Sequence, residues 1–197
     1  MASPHRALSG LLPAPRPSAE ELAAARSRLL PDLIQPELRV LFCGINPGLY
    51  SAAVGQHFAR PGNRFWPTLH RAGFTDRLLH PSEQHTLLDL GIGLTNVVPR
   101  ASANAAELER SDYQSGVLSL RRKLRRYRPR AVAFLGLGAY RLVAGQPGAG
   151  VGRQGEALEG VETWALPNPS GLNAHYSLAQ LAACYAELAR AVLPDRP

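Results

Sequence analysis

The sequence predicts an α/β domain: a three-layer α/β/α sandwich with a central, mostly parallel sheet. Three observations carry that prediction. Short apolar runs end in glycine or turn residues, stripes of helical period alternate with them, and hydrophobic residues make up 45% of 197 positions, enough for one substantial core. Parallel strands need crossover connections, and crossover helices cover the sheet on both sides.

Ser18-Ala-Glu-Glu21 has the spacing of a capping box, so a first helix is expected through Leu22 to Leu30. Arg39 to Gly44 is a compact apolar run ending in glycine, the mark of a strand buried on both faces. A long loop, Ile45 to Gly62, should follow. Phe65, Trp66 and Leu69 share one helical face within Asn63 to Ala72, and Gly73 ends the pattern. Thr95 to Val98 reads as the second strand. Val117, Leu120, Leu124 and Tyr127 form a helical stripe, Arg130 to Gly136 a third strand, and Gly138 to Ala144 a short helix. Thr163 to Leu166 is the fourth strand. Ser177 caps a last helix whose apolar face holds Leu178, Leu181, Tyr185, Leu188 and Val192. The folded domain is expected over residues 18–193, with a flexible segment at 1–17 and a flexible tail at 194–197.

The formal net charge is +7, and every basic residue except Lys123 is an arginine. Guanidinium forks suit phosphate oxygens, so a nucleic-acid partner is favoured. The two cysteines, Cys43 and Cys184, lie in apolar segments without metal-ligand spacing and read as buried free thiols. They cannot supply the four thiolates of an iron–sulfur cluster, and no metal or other cofactor is expected. Without a signal peptide or an apolar span, a cytoplasmic monomer is expected. A Rossmann or Walker phosphate loop is also missing, which argues against a nucleotide-binding enzyme.

In a parallel sheet, ligands bind beyond the carboxyl ends of the strands. The loops after Gly44, Val98, Gly136 and Leu166 should therefore share one rim. Two of them are rich in glycine and proline: Gly44-Ile-Asn-Pro-Gly-Leu49 running on to Trp66, and Pro167-Asn-Pro-Ser-Gly-Leu-Asn173. Together with Phe58-Ala-Arg-Pro-Gly-Asn-Arg-Phe-Trp66, Ala72-Gly-Phe-Thr-Asp76 and Leu87 to Thr95, these motifs resemble the mismatch-specific uracil/thymine-DNA glycosylases. The resemblance spans about Arg39 to Leu193 and implies a uracil-DNA glycosylase-like fold. It implies an enzyme that flips uracil from double-stranded DNA bearing G·U or related mismatches and hydrolyses its bond to the sugar.

The resemblance places Asn46 at the catalytic position, holding the attacking water; its alternative is a turn asparagine bonding its own loop. Phe58 is the stacking wall for the base, against core packing of its ring. Ile45 and Phe58 would read the pyrimidine edge through their backbones, with Ser51 near its C5 position and Asn168 also assigned to substrate. Leu172 is the intercalating wedge, with Ser170, Gly171 and Asn173 beside it against DNA. Arg60 and Arg64 are candidate phosphate clamps, and His57 a candidate phosphate contact. Asp89 interrupts an apolar run, and two readings stand: a catalytic carboxylate on the rim, or a structurally satisfied one.

Two departures bear on selectivity. Ala174 and His175 stand where the family often has arginine after the wedge, and Asn96 stands where relatives can carry a basic residue. Both imply relaxed selectivity for guanine opposite the target. The dense run Arg121 to Arg130 precedes a strand and so belongs to the far end of the sheet, as a solvated face. A non-catalytic sensor of mismatches or abasic sites is the competing function.

Overall fold

The structure is a computed structural model that describes residues 16–194, so the segments expected to be flexible lie almost wholly outside the described residues. Five strands form one sheet: β1 (Val40–Gly44), β2 (Ile92–Asn96), β3 (Ala131–Leu135), β4 (Gly152–Arg153) and β5 (Glu162–Leu166), in the order β2-β1-β3-β5-β4. All neighbours are parallel except the short edge strand β4, which runs against β5. Strands β1, β2 and β3 are buried along their whole length, as their unbroken apolar character requires.

Alternate strand residues face two helical layers. Val40, Phe42, Ile92, Leu94, Ala133 and Trp164 point to the layer containing α3 (Phe65–Arg71) and α7 (Leu178–Val192). Leu41, Cys43, Val132, Phe134 and Ala165 point to the layer of α5 (Arg110–Tyr127) and α6 (Leu137–Ala144). Helix α1 (Ala19–Ala24) carries the expected capping box, Ser18 Oγ accepting from Glu21, but it ends earlier than its sequence suggests. Helix α7 is capped in the same way by Ser177 and Gln180.

The outer edge of β2 is closed by Leu33, which exchanges two backbone hydrogen bonds with Leu94. Beside it Asp32 accepts from Thr95 Oγ1 at 2.7 Å and pairs with Lys123 of α5. This leaves no long exposed strand edge there.

Four features differ from expectation. The second strand lies at Ile92–Asn96, three residues earlier than Thr95 to Val98, and Val97 and Val98 follow it into the rim. Their backbone N–H groups donate to Gly44 and Ile45 carbonyls, which extends the β1 pairing beyond the strand itself. The long first loop contains α2 (Leu49–Val54), and α4 (Thr86–Asp89) precedes β2. Finally Cys184 is only partly buried, whereas Cys43 is fully buried and burial pushes its thiol pKa far up.

Candidate functional site

Parallel strands put the carboxyl ends of β1, β2, β3 and β5 on one side, where the loops after Gly44, Asn96, Leu135 and Leu166 emerge. At the centre Gly44 pairs with Asn96 at the last rung of β1 and β2. A Cβ on Gly44 would lie 2.6 Å from Asn96 Oδ1 and 3.8 Å from Phe58 Cε1. A side chain there would push the Asn96 amide aside, whereas the Phe58 ring would meet it only in ordinary contact.

Phe58 takes a left-handed backbone at φ 53°, costly for a bulky residue and kept only where its surroundings over-determine it. Its neighbours do so. Ser51 Oγ accepts from Ala59 N–H at 3.2 Å, His57 N–H donates to Gln84 Oε1 at 2.8 Å, and Trp66 Nε1 donates to the His57 carbonyl at 3.2 Å. One face of the Phe58 ring stacks on Phe65 with centroids 4.1 Å apart. The core-packing expectation for this ring is met in part: it packs on the core and is partly buried at the rim.

Asn96 is 4% exposed, and its side chain makes no hydrogen bond among the described residues. The amide is not sealed off, however: among the described residues the fully buried side-chain atoms without a partner are Arg64 Nε and Thr68 Oγ1, so the Asn96 amide stays open to water or a ligand at the rim. In sequence Asn96 sits inside the expected strand Thr95 to Val98 and stands out only as a departure from relatives; with β2 three residues earlier, it ends the strand at the rim. The signal available was a lone amide closing the apolar run Ile92 to Thr95.

Asn46 lies next along the loop, partly buried. Its Nδ2 donates to Ser102 Oγ at 2.8 Å, the Pro47 carbonyl at 3.2 Å and the Arg100 carbonyl at 3.4 Å. The turn-asparagine expectation is therefore met by one end of the amide, while Oδ1 receives nothing from the described residues. The carbonyl of Ile45 is taken by Val98 N–H. Ser51 is buried and serves the backbone of the Phe58 loop.

The second motif stands against the first. Tyr185 of α7 donates its hydroxyl to the Pro167 carbonyl at 3.1 Å, and Asn168 Oδ1 accepts from Ser170 N–H at 2.9 Å, leaving its Nδ2 beside Gly136. Asn173 Nδ2 returns to the Asn168 carbonyl, and Ser170 Oγ accepts from Leu172 N–H. Leu172 at the tip is 80% exposed and enters no core.

Three assignments are corrected by these contacts. Arg64 is not a free phosphate clamp: Nη2 donates to the Ser170 and Asn173 carbonyls at 2.7 Å and Nη1 to that of Tyr176, so it braces the 167–176 loop. Arg60 is exposed and in no ion pair among the described residues, and it remains the cation of this pair able to meet a phosphate. His57 is 1% exposed, its Nε2 donating to the Pro31 carbonyl, and burial lowers its pKa, so it cannot reach DNA. Asp89 is not on the rim. It is exposed at the end of α4, just before the amino end of β2, roughly 13 Å of strand from Asn96 at ~3.3 Å per residue.

The arginine run at the end of α5 also lies at the amino ends, as expected, and is largely spent on structure. Arg121 and Arg125 share Glu159, Lys123 holds Asp32, and Arg130 donates to the Ala191 carbonyl.

This arrangement of rim motifs coincides with a match to the uracil DNA glycosylase superfamily over residues 31–189, which covers both loops and every strand. The chain belongs to the uracil DNA glycosylase superfamily. The fold of this glycosylase is similar to the solution structure of a candidate uracil DNA glycosylase from Methanosarcina acetivorans. That similarity has a TM-score of 0.55 at 21% identity and covers 82% of this chain and 98% of the other. Membership assigns the superfamily's reaction class, hydrolysis of the N-glycosidic bond of uracil in DNA. Among the described residues of this glycosylase, no helix is long and apolar enough to cross a membrane. No group of three or more His, Cys, Asp or Glu among them could hold a metal ion.

Proposed function

We propose that this chain is a monofunctional glycosylase that extrudes uracil from mismatched double-stranded DNA, G·U above all, and hydrolyses its bond to the sugar. The observation that carries the reading is the convergence of Phe58, Asn96 and Gly44 at one strand end. A stacking ring beside an amide that no side chain of the described residues occupies suits a flat base whose edge offers both acceptors and a donor. Leu172 would fill the vacated stack, Asn168 Nδ2 would donate to the base or the sugar, and Arg60 would meet a phosphate. Backbone groups at Gly171 and Asn173 would face the opposing base.

In the reaction a water held by Asn46 forms its bond to the sugar C1′ while the bond from C1′ to uracil N1 breaks. The electron pair leaves with uracil, and the water gives up one proton, which neutralises the departing uracil anion directly or through solvent. An amide cannot take that proton, so positioning and charge stabilisation supply the acceleration. Extrusion costs a few kcal/mol and less at a mismatch, which favours mispaired uracil. With Ala174 and His175 after the wedge, selectivity for the opposing guanine is relaxed.

One observation favours a second reading, a non-catalytic mismatch or abasic-site binder: the loops 45–64 and 167–176 contain no Asp or Glu. One experiment separates the two. The protein is incubated with a duplex bearing a single G·U pair, with and without chelator, and then treated with alkali. Strand scission at the uracil, unchanged by chelator, supports the glycosylase; tight binding without scission supports the sensor.

A further inference from the structure

We infer that Ser102 is a positioning residue for Asn46, fixing which end of the Asn46 amide faces the sugar. The inference deepens the glycosylase reading and rests on it for its chemistry. The two ends of an asparagine amide are nearly identical in shape but opposite in function. Only with Oδ1 outward can the amide accept from a water and leave that water's lone pair free for C1′. A half-turn would present Nδ2, which occupies the lone pair instead.

What sets the orientation is the chemistry around Nδ2. The Pro47 and Arg100 carbonyls can only accept, but they stand at 3.2 Å and 3.4 Å. The shortest contact, at 2.8 Å, is to the Ser102 hydroxyl, which could in principle either donate or accept. Its choice is made elsewhere: Ser102 Oγ donates its one proton to the Asn104 carbonyl at 2.7 Å. It can therefore only accept from Asn46, and Nδ2 must point inward. Three acceptors then favour the productive orientation over the flipped one.

Ser102 is itself held firmly. It is 2% exposed, its N–H donates to the Pro47 carbonyl, and it forms a bridge with Gly48. Arg100, two residues earlier, grips Asp112 through both Nε and Nη2, tying the segment to the start of α5. No motif in the sequence marks Ser102, because its partner is 56 residues away.

The test uses Ser102→Ala, Ser102→Thr, Asn46→Ala and the double variant. Single-turnover uracil release from the G·U duplex should fall about tenfold or more in Ser102→Ala, with affinity for abasic duplex changed less than twofold, and recover largely in Ser102→Thr. In the Asn46→Ala background the same change should cost less than twofold, since the amide it orients is gone. An equal loss in both backgrounds, or a wild-type rate in Ser102→Ala, overturns the inference. A readout independent of turnover is hydrogen exchange of the Asn46 side-chain amide, assigned by its disappearance in Asn46→Ala. Exchange should quicken at least tenfold in Ser102→Ala, and unchanged exchange overturns the inference whether or not uracil is released. Quickened exchange in a protein that releases no uracil would overturn the glycosylase reading and leave the Ser102 contact standing. Ser102→Cys, nearly the same size with a weak hydrogen-bonding group, replaces Ser102→Ala if that variant unfolds, with the same outcomes.

Discussion

Gly171 approaches the Gly62 carbonyl so closely that a Cβ on it would sit 2.6 Å from the oxygen. Two loops more than a hundred residues apart in sequence are thereby pressed together, and Arg64 locks them by bonding the carbonyls of Ser170, Asn173 and Tyr176. The ring that would stack on a base and the leucine that would replace it thus belong to one packed unit. Gly171→Ala should force the wedge loop away from Gly62, costing ~1–3 kcal/mol by overpacking. Uracil release and abasic-duplex binding should both weaken. Wild-type values of both would show that the contact has no bearing on the wedge.

Leu172→Ala should leave the thermal midpoint nearly unchanged, since the side chain is 80% exposed and packs on nothing in the core. Retention on abasic duplex should weaken. A variant that melts well below wild type, or binds abasic duplex as tightly, removes Leu172 from the wedge role.

Phe58→Leu removes the aromatic face but keeps an apolar side chain against Phe65. Loss of base stacking should cost about 1–3 kcal/mol and with it most pyrimidine excision. The fold should survive, because the neighbouring hydrogen bonds to Ala59 and His57 involve backbone groups. Full activity in this variant would reduce the ring to a core side chain.

His57 supplies a pH dependence of stability. Burial lowers its pKa below the ordinary 6.5, so the unfolded chain takes up a proton more readily than the folded one. The stability contributed by the neutral ring is fully present above pH 6.5 and declines as the pH falls below it. Melting at successive pH values from 7.5 to 5 should show this loss, smaller in His57→Gln. Equal pH dependence in the two proteins would mean that His57 is not its source.

Asp89→Asn should fold normally and release uracil at the wild-type rate, because the carboxylate is exposed at the amino end of the sheet. A large loss in single-turnover release would require a path from that end to the rim that the fold does not display.

Periodicity and caps are local, and at that level the sequence was enough. The buried run at β1, the stripe on α5, the Ser177 cap of α7 and the glycine-rich loops at strand ends each depend on residues within a few positions of one another, and together they dictate a parallel sheet with one functional rim. Side-chain roles on that rim were decided only by tertiary contact. Arg60 and Arg64 are chemically alike and four residues apart, yet Arg64 alone meets carbonyls 106, 109 and 112 residues away. His57 faces Pro31 and Asn46 faces Ser102 for the same reason, across separations that no local pattern encodes. Asp89 and Asn96 show the cost of a small error in register. Thr95 to Val98 looked like the strand because valine favours extended structure, but pairing with β1 begins at Ile92. That register puts the carboxylate before the strand, at the far end, and the amide on its last residue, at the site.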